Sequence, residues 1–359
     1  MQILIAGGYG VVGQVVTELL SQRIESIQSV VAGRNVEKTQ AVAEKFNCKW
    51  TSIDLESDES IKTALTGIDV VINCYIPSAD FNTLLAENAA DMGIHYLDVG
   101  AFNAFNEKIV ALHDLAVSNQ ATLITALGLY PGMASLILAS NRDYFDEIDK
   151  IDIYFTSGGK MEGLSVLSLQ GINYMMNITP QIWNGQQWVT ANSSGTKALI
   201  NKPFNNEISF YPFMVSYDLL MIPEMIPCNS LKMWSGTESL VQGLVFLLGM
   251  KANLASTVSK AKRFLKILQY MGKKLNENYS MKIVIKGSKQ GAQLERVVEM
   301  NGKEEYLTAL VPVLLCDQLI SGTIARSGAF TGGQIADAND FINMLKTMEI
   351  DYSDRVQEI

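Results

Sequence analysis

Histidine and cysteine are scarce in this sequence, two of the first and four of the second among 359 residues. The cysteines, Cys48, Cys74, Cys228 and Cys316, form no Cys-x-x-Cys pair, and His95 and His113 stand apart from them. A metal-ligand constellation is therefore not expected. Four cysteines could form two disulfides, but a reduced, cytoplasmic setting is the expectation ahead of that. Basic residues are outnumbered, 28 against 37, and the net charge of −9 excludes general nucleic-acid binding, which needs a basic surface. Long apolar runs are missing. The longest stretch worth testing, Leu244 to Met250, falls far short of the ~20 residues of a membrane-spanning helix and is expected to be a buried helix instead. The first apolar strand begins at residue 2, so no leader is expected ahead of it.

What is present describes an ordered chain with room for two cores: 48% hydrophobic and 18% charged residues over 359 positions. Its organising stretch comes first. Met-Gln-Ile-Leu-Ile-Ala suits a buried strand. Gly7-Gly8-Tyr9-Gly10-Val11-Val12-Gly13 follows at once, and then a helical pattern carries Val12, Val15, Val16, Leu19 and Leu20 on one face. Strand, glycine turn and helix form the context in which a Gly-x-Gly-x-x-Gly spacing binds a dinucleotide. Gly8 allows a tight turn, Gly10 lets a pyrophosphate approach the main chain, and Gly13 lets helix and strand touch. The phosphates would meet free N–H groups at the positive end of the helix. Gly7, Gly10 and Gly13 have a spacing of the same kind, and the sequence does not choose between the two registers.

Strand and helix patterns then alternate for about 130 residues, the mark of a doubly wound parallel sheet. Ser29–Gly33, Trp50–Ile53, Asp69–Asn73, His95–Asp98 and Ala121–Ala126 follow the first strand, giving the six strands of a complete dinucleotide-binding sheet. Helices are expected at Val36–Phe46, Ile61–Leu65, Phe81–Met92 and Asn106–Val117. At the end of the second strand a binder of NAD usually places an acid, which accepts from the ribose 2′-hydroxyl. This chain has Gly33-Arg34-Asn35, with Lys38 one helical turn on. A guanidinium attracts a 2′-phosphate that an acid would repel, so NADP is expected ahead of NAD. Asp54 and Leu55, after the third strand, are placed to border the adenine, or to start a helix. Asn73-Cys74-Tyr75-Ile76-Pro77, after the fourth, should lie towards the nicotinamide, because strand carboxyl ends line the crevice of this fold. Cys74 is expected to be a small buried thiol rather than a nucleophile.

From about residue 150 the pattern changes. Ile151–Phe155 alternates as a strand, Gly158-Gly159-Lys160 opens a loop, and a helix is expected at roughly 164–176. Trp183-Asn184-Gly185-Gln186 reads as a hairpin turn. Met281–Ile285 and Leu294–Met300 read as an antiparallel hairpin. Lys160 and Glu162, in the glycine-flanked loop, are candidates for proton handling; two exposed loop charges are the plainer expectation. Arginine is sparse here, with Arg263, Arg296 and, at the border, Arg142, which argues against a substrate with several carboxylates. Tyr174, Met175, Trp183, Phe210, Tyr211 and Phe213 would suit a bulky apolar ligand, with core packing as the default. Residues 251–274 hold seven cations and no acid. Such a segment suits an anionic membrane surface or an acidic partner, with a solvated helix or subunit contact as the default. Helices at Tyr306–Ile324 and Phe341–Met348 should pack back on the first domain.

After the sixth strand stands Gly128-Leu129-Tyr130-Pro131-Gly132. With Gly8 to Gly13, Gly33-Arg34, the strand ending in Asn73 and His95-Tyr96-Leu97-Asp98, the chain resembles the saccharopine dehydrogenase/reductase-like family. The resemblance implies an α/β fold: a Rossmann-type doubly wound parallel sheet with a second, inserted α+β domain. The expected division is 1–140 plus 305–359 for the nucleotide domain and 141–304 for the cleft-closing one. It implies NAD(P)-linked hydride transfer at a carbon–nitrogen bond on a small-molecule substrate. By position it assigns the pyrophosphate to Gly8, Gly10 and Gly13, and the 2′-phosphate to Arg34. It sets Asn73, Tyr75 and Pro77 beside the nicotinamide ribose, and Asp98, Gly128 and Pro131 at the cleft. Tyr75, Asp98, Lys160 and Glu162 are the candidates for catalysis, and a homodimer is compatible with the family. The alternative is a non-catalytic dinucleotide-binding regulatory protein, suggested by the lack of a conspicuous acid–base pair.

Overall fold

The computed structural model describes residues 1–24, 27–75, 82–100, 102–160, 169, 173, 177–192, 194–201 and 204–359. Pro77 and Glu162 lie outside the described residues, as do Tyr174, Met175 and most of the expected helix at 164–176. The chain forms two compact units. The first comprises Met1–Ser140, Ser216–Leu219 and Glu305–Thr347; the second comprises Asn141–Val215, Leu220–Glu304 and Met348–Ile359.

The first unit alternates strand and helix as its sequence periods require. Its elements are β1 (Gln2–Ala6), α1 (Val11–Arg23), β2 (Gln28–Gly33), α2 (Val36–Lys45), β3 (Lys49–Ser52), α3 (Asp58–Leu65) and β4 (Val70–Asn73). Then come α4 (Leu84–Asp91), β5 (His95–Asp98), α5 (Asn103–Val110), α6 (His113–Ser118), β6 (Thr122–Thr125) and α7 (Met133–Ala139). One helix expected over 106–117 is thus two, α5 and α6. The sheet runs β6, β5, β4, β1, β2, β3 and is extended beyond β6 by a further strand, Gly328–Thr331. Every pairing is parallel. The sheet therefore has seven strands, not the six expected. Ile3, Leu4, Ile5, Val71, Ile72 and Leu97 are fully buried at its centre, as strands covered on both faces must be. The helix Glu304–Ile320 is apolar nearly all round and buries Leu307, Leu310, Val313, Leu314 and Cys316. The chain reverses its order between β1 and β4, which is where ligands bind in such sheets.

The second unit is built on a nine-stranded mixed sheet. Glu147–Ser157 pairs parallel with Leu231–Thr237 and antiparallel with Tyr279–Lys289. The expected antiparallel hairpin forms, Tyr279–Lys289 with Ala292–Gly302, and sets Ile283 opposite Val298. The shorter one, Gln181–Trp183 with Trp188–Thr190, forms around Asn184–Gln187. Phe210 is core, packed with Ile200 and Ile208, whereas Tyr211 is exposed. The C-terminal strand Asp351–Glu358 pairs with Ala292–Gly302. Residues 348–359 consequently belong to this unit and not, as expected, to the nucleotide domain. Eight main-chain partners draw them there, from Leu294 opposite Glu358 to Asn301 opposite Asp351.

The helix containing Leu244–Met250 runs from Leu240 to Lys251, but it is not buried as expected. Gln242, Gly249 and Met250 turn inward, while Leu240, Val241, Leu244, Leu247 and Leu248 are exposed. Hydropathy alone identifies an apolar helix; it does not say which face has a neighbour.

Candidate dinucleotide site

The β1–α1 turn is built from main chain. Gly7 has φ 72°, the left-handed region in which a Cβ is strained. A Cβ at Gly13 would lie 2.5 Å from the Gly7 carbonyl oxygen, so helix and turn touch only because residue 13 is glycine. The positive-φ turn residue is Gly7 and not Gly8, but a Cβ at Gly8 would lie 2.9 Å from the Ile5 carbonyl oxygen, so both positions require glycine. Gly10 N–H donates to Gly7 O at 2.9 Å and Gly10 stands at the N-cap of α1. No side chain caps this helix and its first turn holds no acid. The opening N–H groups, those of Val11, Val12 and Gly13, have no acceptor within the helix itself. The Tyr9 ring packs against Val31, Val42 and Ala43, closing one side of the turn.

At the end of β2, Arg34, Asn35 and Lys38 are exposed. Asn35 caps α2, its Oδ1 accepting from Lys38 N–H at 3.0 Å, so its side chain serves the helix. Asp54 shapes the turn into α3: its carboxylate accepts from Glu56 N–H at 3.1 Å and its own N–H donates to Ser60 Oγ at 3.0 Å. Leu55 offers its carbonyl oxygen to Asn82 Nδ2 at 2.9 Å.

At the carboxyl ends of β4 and β5 the polar groups are side chains, and they bind one another. Asn73 pairs with Asp98 in the sheet register. Asn73 Nδ2 donates to Asp98 Oδ2 at 2.7 Å and to Tyr96 Oη at 3.0 Å. Tyr96 donates its hydroxyl to Asp98, and Gly100 N–H donates to the other carboxylate oxygen. Asn73 Oδ1 accepts from Tyr75 N–H at 3.1 Å, which sets the main chain leaving β4. Burial pushes the Asp98 carboxyl up to about 6, in spite of the hydrogen bonds from Tyr96, Asn73 and Gly100 that pull it down. Burial also raises the Tyr96 hydroxyl well above its ordinary value, and the Asp98 charge adds to this. The Cys74 thiol is raised by desolvation first and by Asp98 second, so it is no thiolate. A pocket of about 30 Å³ gathers Leu55, Asn73, Tyr75, Tyr96 and Phe105. Tyr75 is 39% exposed, the most open of the candidate proton carriers in this unit.

Gly128 and Pro131 form a closed, buried turn after β6, with Gly128 N–H donating to Pro131 O at 2.7 Å. The same turn is held by a residue that the sequence did not single out. Asp218, in the short segment Ser216–Leu219 of this unit, accepts from Gly132 N–H at 3.0 Å and is fully buried. Desolvation raises its carboxyl above the ordinary value. No motif marks Asp218; it arrives from the middle of the chain. Tyr96, also missed, had a signal, since it lies two residues before Asp98 on one face of a strand.

Lys160 belongs to the second unit. Its Nζ lies 3.2 Å from Glu277, which also meets Lys303 at 3.4 Å. The Lys160 hydrogen bond is the first cause that holds the Glu277 carboxyl below its usual value. The structure thus brings together the glycine turn, the Arg34–Lys38 corner and the Leu55, Asn73, Tyr75, Asp98 group along the carboxyl edge of one sheet. Among the described residues, no cluster of His, Cys, Asp and Glu could hold a metal.

Such a sheet edge is where doubly wound parallel sheets take their ligands, and comparison with known proteins finds likenesses of the same kind. Residues 3–124 match the model of the saccharopine dehydrogenase NADP binding domain. Among solved structures the chain is similar to the saccharopine dehydrogenase (L-Glu forming) of Saccharomyces cerevisiae, 15% identical with a TM-score of 0.72 over 99% of each chain. It is also similar to the homospermidine synthase of Legionella pneumophila, solved in complex with NAD: 11% identity, TM-score 0.67, 99% of this chain and 91% of that one. At these identities the likeness is one of fold. No curated protein matches the chain.

Proposed function

We propose that the chain is an oxidoreductase that moves a hydride between NADP(H) and an imine, amine or carbonyl group of a small substrate. The observation that carries this reading is the uncapped start of α1, with glycine at its cap and no acid in its first turn. Its free N–H groups and positive dipole end suit a pyrophosphate. Arg34 and Lys38, exposed where a binder of NAD would place an acid, suit the 2′-phosphate of NADP. When bound, the nicotinamide supplies the hydride donor or acceptor; the chain binds, orients and handles protons. Asn73 and Tyr75 would flank the nicotinamide ribose, and Gly128 and Pro131 would border the cleft. Asp98 acts in this reading as a positioning residue, because its oxygens already serve Tyr96, Asn73 and Gly100. Tyr75 is then the better candidate for proton transfer. Lys160 remains a second, in ion-pair contact with Glu277.

The substrate carries few carboxylates. In the second unit Arg296 is held by both oxygens of Asp354, at 2.8 and 2.6 Å, and Arg355 meets Glu299 at 3.1 Å. A tricarboxylate would draw on such forks. Four free thiols suit a reducing, cytoplasmic compartment.

Titration of the folded protein with NADPH and NADH tests the reading. NADPH should bind at least about tenfold more tightly. Arg34→Ala should weaken NADPH by about tenfold to a hundredfold, the worth of a charge-assisted contact, and leave NADH within about twofold. Uptake of neither coenzyme would overturn it. A second reading, a regulatory dinucleotide-binding protein, is favoured by the engagement of Asp98. NADPH consumption across imines, keto acids with amines, and ketones separates the two: tight binding with no turnover selects the regulator.

A further inference from the structure

We infer that the helical hairpin Leu240–Lys251 and Val258–Gly272 is a docking surface for an anionic phospholipid bilayer. Both helices belong to the second unit, and they share one buried cluster of Met250, Ala261, Phe264, Leu265 and Leu268. That cluster uses their inner faces. On the outside of the first helix, Leu240, Val241, Leu244, Leu247 and Leu248 are between 43% and 67% exposed. At 3.6 residues per turn these five fall within an arc of about 120°, with Lys251 in the same arc. A continuous apolar stripe directed at solvent marks a surface with a partner.

The charge of the segment that follows the stripe in the chain, beginning with Lys251 within its arc, points to the partner. Residues 251–274 carry Lys251, Lys260, Lys262, Arg263, Lys266, Lys273 and Lys274 and no acid, in a chain of net charge −9. None of the seven forms an ion pair with a described carboxylate. On the second helix, exposed Ile267 and Tyr270 lie among these cations. Apolar side chains flanked by lysine and arginine are what an interfacial helix needs: the first enter the acyl boundary, the second meet anionic headgroups. The rest of this acidic chain would be repelled by such a surface, which fixes the docking side. The same cations disfavour a second copy of the chain, because a two-fold contact through this face would set like charges against like. The hairpin lies on the bilayer and does not cross it, since its helices span 12 and 15 residues against the ~20 required.

Flotation of the full chain with phosphatidylcholine vesicles, with and without phosphatidylserine, tests this. The protein should float only with phosphatidylserine present and be released by salt. Lys262→Gln and Arg263→Gln should each weaken binding about fivefold. Leu244→Glu with Leu248→Glu should abolish it. All these side chains are exposed, so the variants should melt with the wild type and titrate NADPH as it does, which separates this test from that of the coenzyme site. Absence of flotation with phosphatidylserine overturns the inference. So does a vesicle-free dimer that the Leu244→Glu, Leu248→Glu pair splits, since the face would then belong to a second copy.

Discussion

Two stretches of the same sheet edge use polar groups in opposite ways. After β1 the chain turns on glycine, and the first N–H groups of α1 are left without a cap. After β4 and β5 the polar groups are Asn73, Tyr96 and Asp98, and they spend their hydrogen bonds on one another and on Gly100. The first stretch has donors to offer a ligand. The second has almost none; its work is to fix the main chain at Tyr75 and the shape of the crevice. A titratable residue at a strand end is therefore not by that fact a proton carrier. What counts is whether its capacity is already used.

The comparison breaks most visibly at Asp98. Asp98→Ala would strand three buried donors, from Tyr96, Asn73 and Gly100, and should cost about 3 kcal/mol or more. Denaturant unfolding measures this, and a loss under about 1 kcal/mol would show that the network contributes little. The same carboxyl gives a pH dependence of definite sign. Its folded value of about 6 lies above the ordinary 3.8, so the native state holds the proton more tightly than the unfolded chain. The contribution is full below the ordinary value and is lost as pH rises through about 6, a change of about 3 kcal/mol. Subtracting the stability profile of Asp98→Asn from that of the wild type should reveal a fall across this window. A flat difference would mean that Asp98 titrates as an exposed acid does.

At the other stretch, Gly13→Val forces a side chain onto the Gly7 carbonyl oxygen. About 2 kcal/mol of stability should go, as in other overpacked sites, and NADPH uptake with it. Thermal melting and titration read the two losses separately. A variant that loses stability yet binds NADPH at full strength would remove the turn from the proposed coenzyme site.

The sequence makes the open stretch legible and the closed one obscure. Glycine spacing, the apolar run of β1 and the face of α1 are local signals, and Arg34 reports its charge by identity alone. The hairpin around Gln290 and Gly291 is legible for the same reason, because its strands alternate and are neighbours in the chain. Asp98 could be placed at a strand end but not seen to be saturated, since its donors come from positions 73, 96 and 100 and its burial from the whole sheet. Gly328–Thr331 was not foreseen as a strand. Four residues opening on glycine give no period to read, and its partner β6 lies far back in the chain. The last strand, Asp-Tyr-Ser-Asp-Arg-Val-Gln-Glu, is too polar to look like one and is stable only as the sheet's edge. Asp218 carried no signal at all. Its place at the Gly128–Gly132 turn depends on a four-residue segment, Ser216–Leu219, that joins the first unit.

The finest cut in the comparison is made at Val11, which is 50% exposed at the start of α1. α2 and α3 begin with a capping side chain, Asn35 or Ser57, and have acids in their first turns; α1 has neither. Val11→Asp gives α1 the missing acid. If the vacancy were an accident of sequence, the change would be favourable throughout, adding about 0.3–1 kcal/mol through the helix dipole. If the vacancy serves a pyrophosphate, the same carboxylate repels the ligand. NADPH affinity should then fall about tenfold while the melting temperature holds or rises, and the effect should shrink with added salt. Val11→Lys reverses the charge and should leave NADPH binding equal or tighter at low salt, with a small loss of helix stability. Stability and affinity moving in opposite directions, twice and with opposite signs, is the signature of donors kept free for an anion. Parallel changes in both quantities would mean that α1 differs from its neighbours only by chance.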